Sequence, residues 1–96
     1  MGDKRPYLFI YGENDDNKLI MYNRNEQMVS LLNQFLRETN SIMELDFKKI
    51  TFMHHNTILN KPENLTIAIK EVIKTNTNNN IQIKVLDTNG IIGGIF

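Results

Sequence analysis

Apolar positions change period several times along this 96-residue chain, and each change marks the boundary of an element. Tyr7-Leu8-Phe9-Ile10-Tyr11 is an aromatic and β-branched run, with Pro6 tolerated only at its start. Gly12 to Asn17 are turn formers, and Lys18-Leu19-Ile20-Met21-Tyr22 is extended again. The two runs predict a hairpin across a polar loop. Met28, Leu31, Leu32, Phe35 and Leu36 then fall at i, i+3, i+4, i+7 and i+8, the one-sided stripe of an amphipathic helix. Asn25 is its expected N-cap, Glu26 suits the positive end of the dipole, and Asn40-Ser41 is the expected stop.

Beyond a connector holding Ile42, Met43 and Leu45, the segment 48–53 alternates as a half-buried strand, with Ile50 and Phe52 facing in. His54-His55-Asn56 predicts a turn and Thr57-Ile58-Leu59 a short strand. Asn64 is placed to cap a second helix over 65–74, in which Leu65, Ile69, Val72 and Ile73 share a face despite their β-branched content. An Asn-rich loop follows over 75–80. Ile81, Ile83 and Val85 then alternate with polar residues, as in a central strand with one wet face. The expected fold is α+β: strand, strand, helix, strand, short strand, helix, strand, with a mixed sheet packed on one main helix. A single domain over 1–96 is expected, with its core over about 6–87 and a tail over 88–96.

Composition narrows the function classes. The chain is 41% hydrophobic and 23% charged, ordinary for a globular domain. Eleven basic residues balance eleven acidic ones, which argues against nucleic acid as a partner, since phosphate contacts need a basic excess. No apolar run reaches the length of a membrane span. The first residues carry neither a signal peptide nor a myristoylation motif, because Pro6 stands where Ser or Thr is needed. The absence of cysteine excludes disulfides, thiolate metal sites and a Cys nucleophile, and fits an intracellular protein, cytoplasmic or nuclear.

Candidate chemistry is sparse. His54 and His55 are adjacent, so in a strand they point to opposite faces and chelate one metal poorly; a solvated turn is the plainer reading. Glu13, Asp15 and Asp16 do not match a calcium loop, which fails at Leu19. Gly90-Ile91-Ile92-Gly93-Gly94 is not followed by a helix and is no phosphate loop. Ser30 and Ser41 have no recognisable partners for a triad. The expectation is a non-enzymatic protein without metal or cofactor, acting through other proteins.

The order of elements resembles the ubiquitin-like family, whose fold is the β-grasp. The resemblance is carried by the opening hairpin, the helix with Met28, Leu31 and Phe35, the Lys49-Ile50-Thr51-Phe52 and Ile81-Gln82-Ile83-Lys84-Val85 strands, the Asn64-Leu65-Thr66 turn and Gly93-Gly94. It implies that the helix starting near Met28 crosses a sheet whose first and last strands lie side by side at the middle. It also implies a modifier, matured by loss of Ile95-Phe96 and conjugated through Gly94, with Gly93 giving clearance because a residue without Cβ lets the backbone thread a narrow channel. Its partners would be activating and conjugating enzymes and their targets. The alternative is a ubiquitin-fold subunit or adaptor docked in a larger assembly.

The tail itself admits both. It lacks the arginines of ubiquitin and is apolar at Ile91, Ile92, Ile95 and Phe96. It either hangs free or returns through an Asn89-Gly90 turn as a final strand. Thr51 and Lys84 occupy the positions that match the apolar recognition patch of ubiquitin, so a partner must read a different surface chemistry here.

Overall fold

The computed structural model describes residues 3–12, 14–39, 50–74 and 79–87. It is a small α+β domain built on a five-stranded mixed sheet. Its strands are β1 (Lys4–Tyr11), β2 (Asp16–Asn23), β3 (Ile50–His54), β4 (Thr57–Ile58) and β5 (Ile81–Asp87), in the spatial order β2-β1-β5-β3-β4. The helices are α1 (Met28–Thr39) and two single turns, α2 (Pro62–Leu65) and α3 (Ile69–Val72).

β1 and β2 form the predicted antiparallel hairpin, from Lys4↔Asn23 to Tyr11↔Asp16. Its loop is shorter than the polar run suggests, because Asp16 and Asn17 are drawn into the ladder opposite Tyr11 and Ile10. Pro6 sits inside β1, not at its start. It is tolerated because the ladder to β5 begins only at Tyr7↔Ile81, leaving Pro6 with a neighbour on the β2 side alone. β1 and β5 run parallel at the centre of the sheet, and β3 closes antiparallel on β5, from Ile50↔Asp87 to Met53↔Lys84.

Alternation then sorts the side chains. Tyr7, Phe9, Ile20, Ile50, Phe52, Ile81, Ile83 and Val85 point to one face and are buried there with Met28, Leu31, Leu32, Phe35 and Leu36 of α1. Aromatic rings make the centre of this layer: Phe9 and Phe35 stack at 4.4 Å, and Phe52 meets both edge-on. Ile50 and Phe52 face inward as the sequence predicts.

Three local expectations are corrected. Asn25 is not the N-cap, because α1 begins three residues later, at Met28. The residues before it instead run beside 67–70: Met28 N–H donates to Ile67 O, Ile69 N–H to Glu26 O and Lys70 N–H to Arg24 O, with a bridge between Gln27 and Ala68. This pairing uses the backbone groups that a continuous helix over 65–74 would need, so that helix is reduced to the single turn α3, with α2 ending where it was expected to begin. The apolar face still holds: Ile69 and Ile73 are buried, and Leu65 and Val72 pack against the core. Finally, Asn64 is not a cap. Lys61 is the N-cap of α2, Pro62 follows it, and Asn64 Nδ2 donates to Ile58 O at 2.9 Å.

Candidate functional site

The strand register also organises the face of the sheet opposite α1. In β1 the outward positions are Lys4, Pro6, Leu8 and Ile10; in β2 they are Asn17, Leu19, Met21 and Asn23. Leu8 pairs with Leu19 and Pro6 with Met21, making an apolar block on this hairpin. Across the centre, Gln82, Lys84 and Leu86 of β5 face the same way, with Thr51 and Met53 of β3 and Ile58 of β4. Leu19 is 49% exposed, Met21 53% and Leu86 41%, a substantial exposure for side chains of this size. The charges at the described outward strand positions are Lys4 and Lys84, both positive.

Thr51 and Lys84 therefore lie together on this open face: Lys84 pairs with Met53 and Thr51 with Leu86, so they are diagonal neighbours. They are polar, while Leu86, Met53, Leu8 and Ile10 beside them on the same face are apolar. Leu8, Leu19, Met21 and Leu86 were not singled out by the sequence, although a signal existed. The run Tyr7 to Tyr11 is apolar at every position, so a strand made from it must show apolar residues on both faces. Gly93, Gly94, Ile91, Ile92, Ile95 and Phe96 lie outside the described residues.

β2 is the edge strand on this side, with no further strand paired to it among the described residues. Lys18 ties it to α1 through Glu38 at 3.3 Å. Gln34 Nε2 donates to Glu38 Oε2 at 2.6 Å, and this bond, with Lys18 second, holds the Glu38 carboxyl below its ordinary range.

The histidines lie at a turn, as the sequence predicts, except that His54 is the last residue of β3 and the loop itself is His55-Asn56. Their rings lie 4.2 Å apart. The cause is the backbone: His55 has φ +54°, which turns the chain at once into the two-residue loop before Thr57. His54 Nδ1 stands 3.0 Å from the Gln82 carbonyl, a hydrogen bond in which Nδ1 carries the proton because the carbonyl can only accept. Among the described residues no group of three or more His, Asp or Glu side chains is placed to hold a metal ion. No described helix is long and apolar enough to cross a membrane. No family model matches the chain, and no curated protein matches it.

Proposed function

We propose that this chain is a ubiquitin-like β-grasp domain that works without catalysis, inside the cell, by binding other proteins through the open face of its sheet. The observation that carries this reading is the parallel pairing of β1 with β5 at the middle of the sheet, with α1 packed across one face only. A β-grasp requires that arrangement, and it leaves the second face free of any covering element among the described residues.

The chemistry of that face supports one class of partner. An apolar block around Leu8, Leu19 and Met21, bordered by Lys4 and Lys84, suits a protein that presents apolar side chains with acidic residues at the rim. The docked subunit or adaptor form of the function rests on this surface. The conjugated form rests on Gly93-Gly94 alone, with cleavage after Gly94 and an isopeptide bond to a target lysine.

Two measurements separate the forms. Wild-type protein and the Leu19→Glu/Met21→Glu variant, both shown to be folded, are used as baits and the retained proteins identified by mass. The docking form requires a partner kept by the wild type, lost by the variant and weakened by salt. An identical set on both baits overturns it. For conjugation, a ladder of heavier species on a denaturing gel must vanish when Gly93-Gly94 is deleted. A ladder that persists, or none at all, removes that form.

A further inference from the structure

At the end of the inner face away from the aromatic cluster, β1, the residues after β2, and α3 surround a cavity of about 280 Å³. Its walls carry Arg5, Arg24, Lys70 and Lys74 over a floor that includes Tyr7, Ile73 and Ile81. Glu71 lines it as well, and Asp3 pairs with Arg24 at 3.7 Å. In a chain with no net charge this concentration is local and asymmetric: among the described residues four cations meet two carboxylates, an excess of two positive charges.

Two members of the cluster are brought together by the backbone. Arg24 is held at both backbone ends, its N–H donating to Asp3 O at 2.9 Å and its O accepting from Lys70 N–H at 3.0 Å. That second bond fixes α3, and hence Lys70, against the residues that carry Arg24. The Nε of Arg24 is buried and makes no hydrogen bond among the described residues, because the Asp3 carboxylate stands beyond hydrogen-bond distance. The Arg24 guanidinium is thus only partly compensated by Asp3, and among like charges its remaining donors favour an anion. Arg5 and Arg24 both act electrostatically on the phenol of Tyr7, so the two guanidiniums bear on one point.

We propose that Arg5, Arg24, Lys70 and Lys74 form a binding site for a phosphate group carried as a monoester. The excess of two positive charges matches a dianion better than a single carboxylate. The cavity exceeds the phosphate itself and leaves room for the small polar group that bears it. The site is on the α1 face of the sheet, so it is distinct from the protein-binding face and does not depend on that reading.

The test is an amide chemical-shift titration of the full chain with inorganic phosphate and glycerol 3-phosphate, with acetate as the monoanionic control. Shifts are expected at Arg24, Lys70, Ile73 and Ile81 and not at Leu19 or Met21. Lys70 and Lys74 are exposed, so Lys70→Gln/Lys74→Gln keeps the fold and is expected to weaken binding about tenfold or more. Glu71→Gln, which removes a negative wall, is expected to tighten it. Co-sedimentation with vesicles of phosphatidylcholine alone or with phosphatidic acid identifies the source of the phosphate. Retention on the acidic vesicles that the lysine variant loses assigns a lipid headgroup; glycerol phosphate binding without retention assigns a soluble ligand. Equal shifts with acetate, absence of shifts at about 10 mM phosphate, or affinities unchanged in both variants overturn the proposal.

Discussion

At the residue scale the fold turns on a few aromatic side chains. Phe35 is fully buried and touches three rings: Phe9 stacked, with Tyr11 and Phe52 edge-on at 5.3 and 5.8 Å. Truncation there leaves a cavity between helix and sheet that neither rigid neighbour can fill. Phe35→Ala is expected to cost about 3–5 kcal/mol in a urea titration, a large share of a small domain's stability. Tyr7 gives a second, pH-linked test. Burial pushes its phenol up to about 12, with Arg5 and Arg24 pulling weakly the other way. A folded-state value above the unfolded one favours the neutral phenol, so this stability is complete below pH ~10 and is lost as the pH climbs from ~10 to ~12. Unfolding free energy should drop by about 2–3 kcal/mol across that window, and Tyr7→Phe should flatten the drop. Asn60 shows what single residues hide from a sequence reading. Its amide donates to Ile50 O at 2.7 Å and accepts from Phe52 N–H at 3.0 Å, extending the two-residue pairing of β4 along β3. An asparagine after a short strand looks only like a turn former until its side chain is seen lying against that backbone.

Elements come next, and here the loops set the register. Gly12 follows β1 with φ +78°, a conformation that other residues adopt only under strain. A Cβ at Gly12 would stand 3.4 Å from Asp16 Oδ2, so space is tight but not forbidding and the backbone is the main cost. Gly12→Val is expected to destabilise by roughly 1–2 kcal/mol in thermal or urea unfolding, while Gly12→Asn, which tolerates the left-handed region, should cost less. α1 and β5 were legible because their patterns are long and one-sided: five buried positions at helical spacing, and strict alternation at Ile81, Ile83 and Val85. The segment over 65–74 was not. Its buried positions fit helical spacing, but three backbone hydrogen bonds to Arg24, Glu26 and Met28 take the groups a helix would use. Spacing reports which side chains are buried. It does not report where the backbone donors go.

For the whole molecule, stability should follow the sheet order. β1, β5 and β3 hold the fully buried Phe9, Ile83 and Phe52, with the parallel β1–β5 ladder at their centre. Native-state amide exchange is expected to be slowest at these three residues and faster by orders of magnitude at Thr57 and Ile58 of β4, where the ladder has only two pairs. Uniform protection across all five strands, or maximal protection confined to α1, would contradict this order. The two faces of the same sheet also divide the molecule chemically, with an apolar, lysine-bordered surface outside and a cation-lined cavity at one end inside.

What the sequence determined by itself is which residues are buried and in which kind of element, because periods of two and about 3.6 are local properties of backbone geometry. Met28, Leu31, Leu32, Phe35, Ile50, Phe52, Ile81, Ile83 and Val85 were all identifiable on that ground. Tertiary structure alone decided which surface the apolar outward positions Leu8, Leu19 and Met21 make together, and that Arg5, Arg24, Lys70 and Lys74 meet around one cavity. Those groupings join residues up to about seventy positions apart through strand register and through the pairing of Arg24 with Lys70, and no local period carries that information.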